Sequence, residues 1–215
     1  MSNVVYFNSY KLKKSTKIPD FIDAISTLIK ENITSAKGYV SSALLIDGET
    51  WADFSIWETM DDLNAFIASS NEKSSAGDNE LAHRFYSYCN FNTGRSHRFM
   101  VMDSYNFDIK QLTVPHVISY HSYKLNKGTS DSAFLSAIKK VNVEFSSKQK
   151  GWLSSLTLND GKIWADIVIM ESKEALDQFA EACHKSEVTH DVFSYMDFNG
   201  MKGHTFTLEH TGCFK

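Results

Sequence analysis

The sequence has few of the residues that mark extracellular or membrane-bound chains. Its 215 residues include three cysteines, Cys89, Cys183 and Cys213, which form no spaced pair and leave an odd one over. This pattern argues against a disulfide framework and against a cysteine-based zinc site, and it predicts reduced thiols. No run of about 18 uncharged apolar residues occurs, and the N-terminal stretch has no signal-peptide core. We therefore expect a cytoplasmic protein that binds no membrane.

The sequence also lacks a basic stripe. Its formal net charge is −4, with acidic and basic residues interspersed, which gives no electrostatic footprint for nucleic acid. No glycine-rich phosphate loop, serine–histidine–acid order or nucleophilic cysteine context occurs, so nucleotide binding and covalent catalysis are disfavoured. Apolar residues make up 42% of the chain and aromatic residues 13%, which is ample for a packed core.

What the sequence does contain is an internal repeat. An offset of 113 residues carries Val4 onto Val117 and the segment SYKL, Ser9–Leu12, onto the same four letters at Ser122–Leu125. Roughly two dozen of some sixty ungapped pairs are identical, far above chance, and a repeat of this kind defines the fold. An insertion of about six residues in the first copy, around NEKSSAGDNE, then resets the offset. We predict modules over residues 1–104 and 116–215, joined by a linker over 105–115.

Each copy predicts the same order of elements. An opening β-branched and aromatic run indicates a strand, and apolar residues at helical spacing follow it. Gly38 and Gly151 are expected to end these helices as left-handed residues. Two strands then meet at Asp-Gly, a dipeptide that accepts the positive φ angles of a tight hairpin, before a second helix, a shorter helix and a last strand. The order β-α-β-β-α-(α)-β is the ferredoxin-like split motif, with strand order β4-β1-β3-β2.

The third strand predicts how the copies meet. Ala52, Phe54 and Ile56 form one apolar face of it, and Trp51 and Trp57 form the other. A strand that is apolar on both faces needs cover on both, and the sheet of the other copy is available for this. We therefore expect an α+β fold in which two ferredoxin-like modules form an intramolecular dimeric α/β barrel. Such a chain is a monomer built as a pseudo-dimer, for which further self-association is allowed.

The hairpin segments carry a family resemblance. DGETWADFSIWETMDDL and DGKIWADIVIMESKEAL, with the later FSYMDFNGMKGHTF, resemble the dimeric α/β-barrel proteins near the antibiotic-biosynthesis monooxygenases. The resemblance covers nearly all of both copies and implies that fold. Family members include cofactor-independent oxygenases, haem-degrading enzymes, isomerases and proteins without known activity, so a shared fold does not transfer a reaction.

The resemblance to the haem-degrading branch is partial. Asn8, four residues before Leu12, matches an asparagine of that branch, while the second copy has His121 there. Phe66 and Phe179 stand where the branch has tryptophan, and its helix histidine has loose counterparts in His83 and His190. Neither copy completes the haem triad, so we expect no cofactor.

The candidate catalytic residues are strand aspartates and their neighbours. Asp53 and Asp166 lie between large apolar residues, where burial raises a carboxyl pKa towards that of a general base at neutrality. In the predicted sheet, the last strand neighbours the first, so the second copy gathers His121, Asp166 and His204, and the first copy Asn8, Asp53 and His97. The alternative is that these side chains accept or donate hydrogen bonds and only stabilise the module. Strand register decides which of them share a face. No short ligand spacing supports a metal site.

The aromatic residues indicate the class of ligand that we expect the protein to bind. The predicted ligand-binding residues are Trp51, Trp57, Phe66, Trp164, Phe179 and His190, although aromatic side chains at such positions are more often core. The favoured hypothesis, which rests on the resemblance, is a cofactor-independent oxygenase acting on a small aromatic or polyketide-like molecule. The alternative is a non-catalytic module that binds a small hydrophobic ligand or acts as a scaffold.

Overall fold

The structure, a computed structural model, describes residues 3–75 and 77–210, and the side chains of residues 74, 110 and 210 are not described. Cys213 lies outside the described residues. The first module contains β1 (Val4–Leu12), α1 (Ile18–Leu28), β2 (Tyr39–Asp47), β3 (Thr50–Trp57), α2 (Met60–Ser75), α3 (Glu80–Tyr88) and β4 (Cys89–Tyr105). The second contains β5 (Val117–Leu125), α4 (Asp131–Glu144), β6 (Trp152–Asn159), β7 (Trp164–Met170), α5 (Lys173–Cys183), α6 (Glu187–Ser194) and β8 (Met196–His210).

The chain divides into two compact units. The first unit consists of the residues up to Met100 together with the end of β8 from Glu209. The second unit consists of Val101–Leu208. Within the units all strand pairs are antiparallel: β1 lies between β3 and β4, and β3 also pairs with β2. In the second unit β5 lies between β7 and β8, and β7 also pairs with β6. The predicted strand order and the α+β class with two ferredoxin-like modules are confirmed.

Local sequence explains most element ends. Pro19 lies in the first turn of α1, where its missing N–H is not needed. Gly48 and Gly161 adopt φ angles of +58° and +90° in the two Asp-Gly hairpins, as the dipeptides predict. Helix α5 is capped by Ser172, whose hydroxyl accepts a hydrogen bond from the Ala175 N–H at 3.1 Å.

Gly38 and Gly151 do not end the first helix of each module, contrary to our expectation. The α-helical part of α1 ends at Leu28 and is followed by a π-helical turn over Ile29–Ile33. Helix α4 ends at Glu144. Both glycines do adopt a φ of +75°. A Cβ atom at either position would lie 2.6 Å from a side-chain atom of Asp62 or Ala175. These glycines therefore allow the second helix of each module to approach the chain before β2 or β6.

The core of each module lies between its sheet and its helices. Aromatic side chains dominate it: Phe21 packs edge-to-face on Trp51 at 4.9 Å, and the equivalent Phe134 packs on Trp164 at 5.0 Å. Strand β3 is buried on both faces, since Phe54 is 4% exposed and Trp57 is 1% exposed. None of the described helices is both long and apolar enough to cross a membrane.

Candidate functional site: two cavities between sheet and helices

A cavity of about 530 Å³ lies between the sheet and the helices of the second module. We call it the larger cavity. On its sheet side, His121 of β5 lies opposite Asp166 of β7 and opposite Gly203 of β8. Because residues directly opposite on antiparallel strands share a face, the imidazole and the carboxylate both belong to the face that the helices cover.

Asp166 is a buried carboxylate held by two hydroxyl groups. The Tyr123 hydroxyl donates a hydrogen bond to Oδ2, and the Thr157 hydroxyl donates one to Oδ1 at 3.0 Å. Burial raises the pKa of Asp166 from 3.8 to about 6, although both donors act to lower it. The carboxyl group is therefore mainly ionised at neutral pH, yet it binds a proton far more readily than an exposed aspartate does.

His121 lies beside Asp166 as a second proton acceptor. Its Nδ1 is 3.4 Å from the Ser119 hydroxyl oxygen. Burial lowers the pKa of His121 below 6.5, and nearby His204 lowers it further, so the imidazole is neutral at pH 7. A Cβ atom on Gly203 would lie 2.7 Å from Cδ2 and 3.0 Å from Nε2 of His121. Because Gly203 has no side chain, it leaves room for the His121 ring.

The rest of the larger cavity is mainly apolar. Helix α5 contributes Phe179, helix α6 contributes Phe193, and an irregular part of β8 contributes Phe198. The Phe193 and Phe198 rings meet edge-to-face with centroids 6.1 Å apart, and Phe198 is 54% exposed. Burial raises the pKa of the Cys183 thiol to about 12, so this lining residue is not a thiolate nucleophile at neutral pH. The cavity is therefore apolar over most of its lining, with Asp166 and His121 among its polar groups.

The first module has a cavity in the same place, but it is only about 180 Å³. We call it the smaller cavity. Here Asn8, which replaces His121, donates a hydrogen bond from Nδ2 to Oδ2 of Asp53 at 2.7 Å. Burial raises the pKa of Asp53 to about 6, although Asn8 and the Tyr10 hydroxyl act to lower it. Asp53 and Asp166 are thus both buried, but the residues at the positions of Asn8 and His121 beside them differ.

Large side chains take up the space in the first module. Trp57 stands where the second module has Met170, and Tyr6 stands where it has Ser119. The Trp57 ring lies 5.0 Å from the Phe66 ring at an interplanar angle of 34°, and its Nε1 donates to the Ser55 hydroxyl at 3.0 Å. Both aromatic rings line the smaller cavity. The smaller cavity is thus lined by two side chains, Tyr6 and Trp57, that are larger than those at the equivalent positions of the second module.

His97 and His204 do not join the aspartates, which corrects our prediction. The register sets His97 opposite Phe7 and His204 opposite Tyr120. Each histidine is therefore on the other face of its sheet from the aspartate, because side chains alternate along a strand. Their rings stack on aromatic rings two residues further along, at 5.1 Å on Phe99 and on Phe206 respectively. The gathered pairs are Asn8 with Asp53 and His121 with Asp166.

Of the predicted ligand-binding residues, three line a cavity: Trp57, Phe66 and Phe179. Trp51 and Trp164 instead lie in the aromatic core beneath the cavities, where each packs on the phenylalanine of its first helix. His190 is exposed on α6.

Thr157 and Gly203 are among the contributors to the site that were not predicted. The repeat carries a signal for the first, since Thr157 stands where the first module has Leu44. An apolar residue exchanged for a hydroxyl at a buried strand position indicates a polar partner nearby. Gly203 stands where the first module has Ser96, and only the register reveals that it faces His121.

Solved structures share this fold. A candidate monooxygenase from Fusobacterium nucleatum matches with a TM-score of 0.69 and 13% identity, over 97% of this chain and 93% of that chain. An anthrone oxidase-like protein matches with a TM-score of 0.64 and 13% identity, over 97% and 92%. A haem-degrading enzyme from Listeria monocytogenes matches with a TM-score of 0.54 and 10% identity, over 95% and 99%.

These matches confirm the predicted resemblance in fold, because the neighbours also include a ferredoxin-fold protein related to antibiotic-biosynthesis monooxygenases. At these identities the likeness shows the fold alone. No family model and no curated protein matches the chain.

The described counterparts of the haem triad do not all come together in either cavity. His190 lines neither cavity, and its Nε2 lies 2.9 Å from the carbonyl oxygen of His184. His83 is exposed on α3 and lines neither cavity. The positions compared with the tryptophan of the haem-degrading branch carry Phe66 and Phe179.

Proposed function

We propose that the larger cavity is the active site of a cofactor-independent oxygenase, and that its substrate is a small, flat aromatic or polyketide-like molecule. One observation carries the proposal: Asp166, with a pKa raised to about 6 by burial, faces an apolar cavity beside the neutral imidazole of His121. A general base for reaction near neutral pH needs such a pKa. Oxygenases and oxidases among the proteins of similar fold support the same class of reaction.

The volume supports a substrate of more than one ring. About 530 Å³ falls within the range of roughly 300–1,000 Å³ that is typical of pockets for drug-sized ligands. Rings from three elements, Phe179, Phe193 and Phe198, surround this space. Offset or edge-to-face contacts with aromatic ligands are favourable for such rings.

The proposed reaction begins with proton transfer. Asp166 takes a proton from an activated carbon of the substrate, and His121 receives this proton from the carboxyl group. The resulting carbanion donates electrons to molecular oxygen and forms a carbon–oxygen bond. After protonation, the hydroperoxide loses water, the oxygen–oxygen bond breaks, and a carbonyl group forms. One oxygen atom enters the product and the other leaves as water.

Anthrone, a tricyclic ketone with an activated methylene group, tests this proposal. Purified protein with a chelator, and without added cofactor, should consume one oxygen molecule for each anthrone converted to the quinone. Asp166→Asn should reduce the rate by about 10²–10⁴-fold, the usual contribution of a general base. Asp191→Asn, which changes an exposed aspartate on α6, should leave the rate unchanged. Absence of oxygen uptake by the unaltered protein, or full activity of Asp166→Asn, would contradict the proposal.

One observation favours a second function, that of a non-catalytic module for small hydrophobic ligands. Both oxygens of Asp166 already accept hydrogen bonds, from Tyr123 and Thr157, which is the arrangement of a carboxylate that only stabilises its module. This function predicts that anthrone binds without oxygen uptake, and that Asp166→Asn binds it equally well. The same experiment therefore separates the two functions.

We also propose that one chain is the functional unit, with residues 105–115 as the linker between its modules. Each module has its own cavity, which supports this assignment. Cys89 and Cys183 are free thiols, as expected of a protein in the reducing cytoplasm, where we propose that it acts.

A further inference from the structure

The smaller cavity of the first module differs from the larger cavity in chemistry as well as in size. Its lining includes polar side chains at positions where the second module has less polar ones. Asn32, Ser55 and Ser70 stand at the positions of Phe145, Val168 and Cys183. The duplication has therefore left two cavities that favour different ligands.

Asp53 supplies a hydrogen-bond acceptor for a ligand in this cavity. A carboxylate offers about four acceptor positions. Asn8 uses one of them on Oδ2 at 2.7 Å, and the Tyr10 hydroxyl also acts on this carboxyl group. Asp53 itself lines the cavity. A hydroxyl group of a ligand that donates to a charged, desolvated carboxylate forms one of the stronger classes of hydrogen bond.

An aromatic wall lies beside this acceptor, since Trp57 shares the face of β3 that carries Asp53. Trp57 and Phe66 form it, with ring centroids 5.0 Å apart, and Tyr39 holds the Trp57 ring from another side by an edge-to-face contact at 5.6 Å. The volume of about 180 Å³ is close to the roughly 150 Å³ of an engineered protein cavity that binds benzene. This volume matches a single six-membered ring.

We infer that the smaller cavity is a second ligand site, which binds a single-ring phenol through a hydrogen bond to Asp53 and ring contacts with Trp57 and Phe66. This inference goes beyond the proposed function, because it uses no residue of the larger cavity. The two sites would give one chain two specificities, for a small phenol in the first module and a larger, apolar molecule in the second.

The test uses the full chain, labelled with nitrogen-15, and 4-fluorophenol as the probe. The chain has four tryptophans, so four indole N–H signals report on binding, and Trp57→Phe identifies the signal of Trp57. 4-Fluorophenol should shift this signal saturably and leave the signals of Trp152 and Trp164 in place. 4-Fluoroanisole, which lacks the hydroxyl proton, should bind at least tenfold more weakly.

Matched variants separate the two modules. Asp53→Asn should weaken the effect of 4-fluorophenol on Trp57 at least tenfold, whereas Asp166→Asn, the equivalent change in the second module, should leave it intact. Ser70→Leu, which fills the cavity from helix α2, should abolish binding without removing the acceptor. A Trp57 signal that does not move, or binding that survives both first-module variants, would overturn the inference. Neither result depends on oxygen uptake in the second module.

Discussion

The burial of Asp166 makes a quantitative prediction about stability. The folded protein raises the pKa of this carboxyl group from 3.8 to about 6, so folding favours its protonated form. Stability from this group is fully present below pH 3.8 and is lost as the pH rises to about 6, after which the loss is constant. Each pH unit between the two pKa values is worth about 1.4 kcal/mol. The ionised carboxylate therefore destabilises the fold by about 3 kcal/mol at neutral pH.

Asp166→Asn removes this pH dependence, because the amide does not titrate. Between pH 4 and pH 7 the stability of the variant should rise by about 2.4 kcal/mol relative to the unaltered protein, because a small part of the loss has already occurred at pH 4. Asp53 is present in both proteins, so its own titration cancels in the comparison. Loss of one hydroxyl hydrogen bond, from Tyr123 or Thr157, subtracts about 1 kcal/mol at every pH.

Urea denaturation followed by tryptophan fluorescence at a series of pH values measures this difference. The informative quantity is the change in relative stability between pH 4 and pH 7, since the lost hydrogen bond contributes a constant. If the difference between the two proteins does not vary with pH, Asp166 is not desolvated, and the reasoning that makes it a general base fails as well.

Two further variants address the neighbours of Asp166. Gly203→Ala should displace the His121 ring, because the added Cβ would lie 2.7 Å from its Cδ2, and should lower kcat about tenfold or more. Ser96→Ala, at the equivalent position of the first module, serves as its control, and an unchanged kcat in Gly203→Ala would contradict the role of His121. Thr157→Val removes a donor that lowers the pKa of Asp166, so the acidic limb of the rate profile should move to higher pH, and an unmoved limb would exclude Thr157 from setting that pKa.

The sequence was sufficient for the fold because the repeat and the turns are local signals. An ungapped offset identifies the modules without any knowledge of contacts, and the Asp-Gly dipeptides specify hairpins through the φ angles of Gly48 and Gly161. The ends of the first helix of each module were harder to predict. Helix α1 is followed by a π-helical turn over Ile29–Ile33, and α4 is followed by a 3₁₀ turn over Ser146–Lys148, so Gly38 and Gly151 lie beyond the ends that they were expected to mark.

The site was predicted only in part. The face of the sheet on which a side chain lies depends on strand register, and the sequence alone does not specify that register. A shift of one residue in β8 would have placed His204 beside His121, and the observed register places Gly203 there instead. Asp166 was identifiable because a carboxyl group between apolar strand residues is unusual. The cavity volumes could not be predicted, since they depend on how Trp57 and Tyr6 pack.

The different supports of the two aspartates constrain how one module can be converted into the other. In the first module Asn8, a neighbour on the opening strand, donates to Asp53. In the second module the hydroxyls of Tyr123 and Thr157 both donate to Asp166. Asn8→His alone would therefore remove a donor from a buried charge. Leu44→Thr, which supplies the hydroxyl that the second module has, should reduce the destabilisation caused by Asn8→His.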